Sequence, residues 1–233
     1  MENVPDYVSA VFILTTFATV AFFIQAVKAA GTRSLPSQLL LFIVPLALIF
    51  QGIIALGGFY LNESATPPRV ALFAALPAIL LIVVYFIFFR ASFIDRIPLK
   101  LLTSVHVVRI PVELTLYWLA AAKAVPEILT FNGRNFDIVS GILAIIVYFA
   151  AFRGRTANRW ILIGFNVIGL ILLANIVSIA ILSLPSPAQQ MAFDQPNLAV
   201  MYFPYIWLPA IIVPIVLFSH LASLWKLSIG RDR

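Results

Sequence analysis

Long apolar runs are the feature that most constrains what this chain can fold into. Seven runs of roughly 18 residues with few charges follow one another along the sequence, and each is long enough for a helix to cross a bilayer. Their apolar residues do not alternate with a period of two, as the strands of a membrane barrel would. We therefore predict an all-α, polytopic membrane protein, a single domain over residues 1–233 built as a bundle of seven transmembrane helices. The predicted spans cover residues 7–27, 39–61, 70–89, 99–122, 138–152, 160–184 and 198–225.

The composition agrees with this class and excludes several others. Hydrophobic residues make up 63% of the chain and charged residues only 10%, whereas soluble domains contain about 25% charged residues. The chain has no cysteine, which excludes disulfides, thiolate metal sites and cysteine nucleophiles. The net charge is +6, but the basic residues form no patch with stacking aromatics, so the expected partner is the lipid bilayer and not a nucleic acid.

The distribution of charge predicts an orientation. The loops after predicted spans 1, 3 and 5, together with the C-terminus, contain eleven basic and two acidic residues. The N-terminus and the other loops contain three basic and six acidic residues. Because basic loops stay in the cytoplasm, the N-terminus is predicted outside and the C-terminus inside.

Two charged residues remain inside a predicted span, Arg109 and Glu113. They share one helical stripe with His106 and Tyr117, since the four positions are separated by three, four and four residues. Arg109 and Glu113 are spaced to form an ion pair, and a lone charge at the bilayer centre costs at least about 2.5–3.5 kcal/mol. Pro111, between them, interrupts the helical hydrogen bonds. We expect this stripe to face the interior of the bundle and to border a polar cavity.

Polar residues of other predicted spans complete a candidate ligand or proton site. At about 1.5 Å of rise per residue, His220 lies at a depth similar to that of His106 in the cytoplasmic half of the bundle. The remaining members of the predicted site are Gln51, Asn166 and Asn175.

Two polar stretches, residues 132–137 and 193–197, precede helices on the predicted outer side. One interpretation is local, because Asp137 and Asn197 are good helix-capping residues. The other is an outer mouth in which Arg134 meets Asp137, Asp194 or a ligand.

Several strings of this sequence resemble those of an uncharacterised bacterial family of seven-helix integral membrane proteins that has no assigned activity. The resemblance implies the seven-helix topology and a location in the bacterial cytoplasmic (inner) membrane, and it implies no function. The strings are residues 106–113, 133–137, 193–197 and 207–220.

Four functions remain open on the sequence alone. The first is a small-molecule, ion or proton-coupled carrier, or a ligand sensor, in which Arg109 binds an anionic group and Glu113 exchanges a proton. The second is a redox protein that holds haem or a metal with His106 and His220. The third is an intramembrane enzyme using Glu113 or His106 as acid or base, for which no catalytic residue can be assigned without geometry. The fourth is a purely structural membrane protein in which the Arg109–Glu113 pair fixes packing.

Overall fold

The protein is all-α. The computed structural model describes residues 1, 3–154 and 156–230, and these residues form seven helices and no strand. Each helix corresponds to one predicted span, so the expected all-α class and the number of helices are confirmed. The helices are α1 (Asp6–Ala29), α2 (Leu35–Leu56), α3 (Val70–Phe88), α4 (residues 99–121), α5 (Asp137–Ala151), α6 (Arg159–Leu182) and α7 (Leu208–Ser228).

Two predicted boundaries are wrong by several residues. The predicted second span runs to residue 61, but α2 ends at Leu56, where Gly57 and Gly58 follow and Gly58 has a φ of +72°. The predicted seventh span starts at residue 198, but α7 begins at Leu208. The residues before it form a short 3₁₀ turn, Ala199–Met201, and an irregular connection. Apolar composition continues through both connections, which is why it does not reveal the ends of the helices.

Three helices contain turns that depart from α geometry. The first turns of α3 (Val70–Ala75) and α7 (Leu208–Ile212) are π-helical. Helix α4 changes to a 3₁₀ turn at His106–Val108, between the α-helical segments Leu99–Val105 and Arg109–Ala121. This turn lies just before Pro111, which has no N–H to bond the carbonyl of Val107. The predicted interruption of α4 is therefore present.

Helix α7 is at the centre of the bundle. It packs against α1, α2, α3, α4 and α6. In its most apolar 18-residue segment 61% of the residues are buried, compared with 22–44% in α1, α2, α3 and α6. A side chain on α7 can therefore meet groups from several other helices at once.

Contacts between connections and helix ends group them at two ends of the bundle. At the end that contains the N-terminus, the ring of Tyr7 stacks edge-on against Trp118 near the end of α4, with centroids 5.3 Å apart. At the same end, the N–H of Leu198 donates to the carbonyl of Ala124 at 3.1 Å. At the opposite end, the C-terminal turns of α7 meet the α3–α4 connection. There Trp225 Nε1 donates to Asp95 Oδ1 at 2.9 Å.

The outward faces of the helices are apolar. Helices α1, α2, α3, α6 and α7 are long and apolar enough to cross a membrane, and α5 is a shorter apolar helix of 15 residues. Large apolar side chains such as Leu56, Phe88 and Trp160 are 70%, 71% and 78% exposed. This outer surface is compatible with integration in a membrane.

Candidate functional site

Arg109 is buried at the junction of four helices. Its Nε donates to Asp137 Oδ2 on α5 at 3.2 Å, and its Nη2 forms an ion pair with the same oxygen at 3.0 Å. Its Nη1 donates to Ser140 Oγ on α5 at 2.5 Å and to His220 Nε2 on α7 at 3.2 Å. Its Nη2 also donates to the carbonyl of Gly169 on α6 at 3.3 Å. We call these five residues the arginine cluster. Four hydrogen bonds and one ion pair thus engage all three nitrogens of the guanidinium with protein atoms.

Gly169 is required by the close packing around Arg109. A Cβ at this position would lie well inside van der Waals contact with the Cε1 and Nε2 atoms of His220, and 3.2 Å from Ser140 Oγ. Any side chain here would therefore push α6 away from the guanidinium and lengthen the bond to the Gly169 carbonyl.

The expected ion pair between Arg109 and Glu113 is not formed. In the described part of the chain, the ion-pair partner of Arg109 is Asp137, at 3.0 Å. Asp137 is 6% exposed, so it belongs to the interior and not to the outer mouth in which the sequence placed it. The reason is its position as the first residue of α5, from which its side chain reaches α4. Asp137 is also not a helix cap, because the residue before α5 is Phe136.

Asn135 links Glu113 on α4 to the start of α5. It is completely buried, and its Nδ2 donates to Glu113 Oε1 at 2.5 Å and to the carbonyl of Leu129 at 3.0 Å. Its Oδ1 accepts the backbone N–H of Asp137 at 3.0 Å. One side-chain amide therefore joins the carboxyl group of Glu113 to the backbone of Asp137. The sequence analysis assigned no role to Asn135, although this residue lies within the string 133–137 that carries the family resemblance.

His220 is a neutral imidazole in this arrangement. Its Nδ1 lies 2.9 Å from Asn166 Oδ1, and Asn166 Nδ2 donates to the carbonyl of Leu162 at 2.8 Å. Because that amide oxygen can only accept, the proton of His220 is on Nδ1. Its Nε2 is then free to accept from Arg109. Asn166, one of the predicted site residues, thus contacts the arginine cluster through His220 and orients its ring.

The two histidines are in contact. The rings of His106 and His220 stack with centroids 3.8 Å apart and planes 22° from parallel. Phe165 lies against the ring of His106, with centroids 5.3 Å apart. His106 is fully buried, and neither of its ring nitrogens has a hydrogen-bond partner among the described residues.

This stacking does not fit the haem or metal site considered from the sequence. Two axial imidazoles must face each other across an iron with their nitrogens pointing inward, whereas these rings lie face to face with no room between them. Both nitrogens of His220 are also engaged, with Asn166 and Arg109. Among the described residues, no group of three or more His, Asp or Glu side chains is arranged to hold a metal ion.

Tyr117 and Asn175, two residues of the predicted site, are partly or largely exposed and belong neither to the arginine cluster nor to the buried residues around it. Tyr117 is 40% exposed and stacks on Phe131, with centroids 5.1 Å apart. Tyr117 is eight residues after Arg109, which is more than two full turns at about 3.6 residues per turn. Its side chain is therefore rotated away from the buried face on which Arg109 lies. Asn175 is exposed and donates from Nδ2 to the carbonyl of Arg134 at 2.8 Å.

Gln51 belongs to a separate polar contact between α2 and α3. Its amide nitrogen, Nε2, donates to the carbonyl of Phe73 at 2.9 Å, and its Oε1 accepts from the hydroxyl of Tyr60. Burial raises the pKa of Tyr60 to about 12, so this hydroxyl remains a donor at neutral pH. The predicted mouth residues Arg134 and Asp194 are exposed.

A cavity of about 450 Å³ adjoins the arginine cluster. We call it the central cavity. Its wall is mainly apolar and comes from α3, α6 and α7, including residues of both π-helical turns. Such turns occur often at functional sites. Its polar lining residues are Arg109, Glu113, Asp137 and Asn197.

Three oxygens of these lining residues lack a partner. Glu113 Oε2, Asp137 Oδ1 and Asn197 Oδ1 are buried and accept no hydrogen bond from any described residue. Buried polar atoms are normally paired, so three unpaired acceptors on residues that line one cavity indicate a place for a donor. The candidate site therefore combines an apolar chamber with free acceptors and no free donor on Arg109.

The comparisons with known proteins identify a family without an assigned activity. A family model described as a domain of unknown function (DUF8737) matches residues 67–228, more than half of the chain. The protein therefore belongs to the DUF8737 family. The matched region contains α3 to α7 and the whole arginine cluster. No curated protein and no solved structure matches the chain.

The hydrogen bonds of Arg109 predict a large effect of removing its charge. We expect Arg109→Gln to lower the free energy of unfolding by about 3–5 kcal/mol, because Asp137 would remain buried without its partner. The measurement is thermal or denaturant unfolding of the purified protein in detergent. Arg134→Gln is the matched control and should change stability by less than about 0.5 kcal/mol, since Arg134 is exposed. Equal effects of the two substitutions would contradict the role of Arg109.

Proposed function

We propose that this chain is an integral membrane protein that binds a small, mainly apolar molecule in the central cavity and exchanges a proton at Glu113 as it does so. Such a protein acts as a proton-coupled carrier or as a ligand sensor. The observation that carries the proposal is an unbalanced charge beside an apolar chamber: one arginine faces two carboxyl groups.

The charges around Arg109 do not sum to zero when both carboxyl groups are ionised. Arg109 is ion-paired with Asp137 at 3.0 Å, whereas Glu113 is 1% exposed and, among the described residues, is hydrogen-bonded only by the neutral amide of Asn135. An isolated carboxylate in such surroundings is very unfavourable and is neutralised instead. Glu113 therefore holds a proton when the cavity is empty of ligand, and it gives up that proton when a ligand supplies positive charge.

The central cavity has the size and lining of a ligand site. Its volume of about 450 Å³ lies within the range of small-molecule pockets, which are mostly apolar with a few polar groups that orient the ligand. Ionisable residues inside membrane proteins also mark substrate and proton pathways more often than they serve packing.

A purely structural role accounts for only part of the site. It explains Arg109, Asp137, Ser140 and Gly169, whose contacts join α4, α5 and α6. It leaves a second buried carboxyl group, Glu113, without a charged partner. Arg109 also differs from the role expected from the sequence, because its donors are all used and the polar groups left open are acceptors.

The proton on Glu113 can be observed directly by infrared spectroscopy of the purified protein in lipid. We expect a band from a protonated carboxyl group near neutral pH that disappears in Glu113→Gln. Glu63→Gln makes the same chemical change at an exposed loop position and should leave the band unchanged. A band that survives Glu113→Gln, or that disappears in Asp137→Asn instead, would contradict the proposal.

The proposed orientation, with the N-terminus outside and the C-terminus in the cytoplasm, rests on the distribution of basic loops. Because the chain has no cysteine, single cysteines can be introduced without background. In intact cells, a membrane-impermeant thiol reagent should label Ser64→Cys, in the α2–α3 connection. It should label Ser92→Cys, in the α3–α4 connection, only after the cells are permeabilised. Both positions are exposed. The reverse pattern would overturn the orientation, and labelling of both in intact cells would overturn the membrane topology.

A further inference from the structure

The free polar atoms of the central cavity define the chemistry of the ligand. Among the described residues, the lining acceptors without partners are Glu113 Oε2, Asp137 Oδ1 and Asn197 Oδ1, whereas all three nitrogens of Arg109 are engaged by protein atoms. A ligand carboxylate or phosphate would bring further acceptors and negative charge next to two carboxyl groups. A ligand that carries hydrogen-bond donors completes the site.

The charge of the residues that line the cavity indicates a ligand with one positive charge. With Glu113 and Asp137 ionised and Arg109 protonated, the lining carries a net charge of −1. A monovalent cation therefore restores neutrality when it replaces the proton of Glu113. A zwitterion, whose net charge is zero, does not.

The wall of the cavity offers few ligands to an inorganic cation. Cations such as Ca²⁺ take about six or more oxygen ligands, and the residues around the cavity are mainly aliphatic. Among the apolar lining residues are Ile79, Leu173, Val177, Ile212 and Leu217. Most of the ligand must therefore be apolar, with its charge confined to one end.

We propose that the central cavity binds a lipophilic amine in its protonated form. Its ammonium N–H groups donate to Glu113 and Asp137, and its hydrocarbon body lies between α3, α6 and α7. Binding of the ammonium takes the place of the Glu113 proton, which leaves as the amine enters, so charge is conserved in the site. This inference rests on the proposed function, and it adds the chemical class of the ligand.

The acceptors favour an ammonium with N–H groups over a quaternary one. A quaternary ammonium carries the same charge but cannot donate a hydrogen bond, so the carboxyl oxygens would remain without partners. Compounds that share one compact hydrocarbon cage can therefore separate the contributions of charge, donor and apolar body.

The test uses the full chain in phosphatidylcholine nanodiscs and titrates it calorimetrically with four adamantane compounds: the primary amine, the trimethylammonium, the alcohol and the carboxylic acid. We expect the primary amine to bind tightest and the acid not to bind. Glu113→Gln should weaken amine binding by more than about tenfold, because it removes the charge that pairs with the ammonium. Glu63→Gln, at an exposed position, should leave amine binding unchanged.

A second variant covers the case in which Glu113→Gln perturbs the fold. Ala174→Phe, on α6, introduces a ring into the cavity without touching the arginine cluster. It should abolish amine binding while the infrared band of the Glu113 carboxyl remains. Binding of the acid or the alcohol as tightly as the amine, or no binding of any of the four compounds, overturns the amine proposal. Those outcomes leave the proton on Glu113 intact, so they are distinct from failure of the proposed function, which is decided by the infrared band.

Discussion

The four hydrogen bonds and the ion pair of Arg109 are the interactions on which the rest of the site depends. One guanidinium on α4 binds Asp137 and Ser140 on α5, the carbonyl of Gly169 on α6 and His220 on α7. The planar fork of arginine suits this task, since it presents fixed donors in several directions and remains charged when buried. Its position also fixes His220, and through the stacked rings it fixes His106. The relative placement of four helices is therefore tied to one side chain.

Because its nitrogens are engaged by protein atoms, Arg109 is not available to bind an anion. The groups that remain for ligand binding are the carboxyl groups around it. Asp137 is the ion-pair partner, at 3.0 Å, whereas Glu113 is held by the amide of Asn135 and has one oxygen without a partner. The two carboxyl groups differ in their contacts: Asp137 is ion-paired, and Glu113 is the group at which we propose that a proton or a cationic ligand binds. The apolar central cavity beside them is the space that we propose for that ligand.

Much of the fold could be predicted from the sequence, because apolar runs, Pro111 and the intervening polar loops report on helices directly. The site was harder to predict. The two charges inside an apolar span identified Arg109 and Glu113, and matching depths identified His106, His220 and Asn166. The contacts of Arg109 and Glu113 with residues near the start of α5 could not be predicted from the sequence, because they depend on how α4 and α5 pack side by side. Asp137 therefore looked like a loop residue and Asn135 attracted no role, although both bear directly on the two charges. Helical spacing also placed Tyr117 in the predicted site, although it is partly exposed. Positions repeated every four residues turn gradually away from the buried face, because an α-helix has about 3.6 residues per turn.

The different roles of the two carboxyl groups are the central claim of this account, and comparison of their neutral variants tests it most directly. The measurement is the free energy of unfolding of Glu113→Gln and Asp137→Asn, made in the same lipid and without ligand. Asp137→Asn should cost about 3–5 kcal/mol, because it leaves the Arg109 charge without its partner. Glu113→Gln should cost less than about 1 kcal/mol, since glutamine resembles the protonated acid and keeps an oxygen for Asn135. Equal losses in the two variants would show that both carboxylates are ionised partners of Arg109, and would contradict the account.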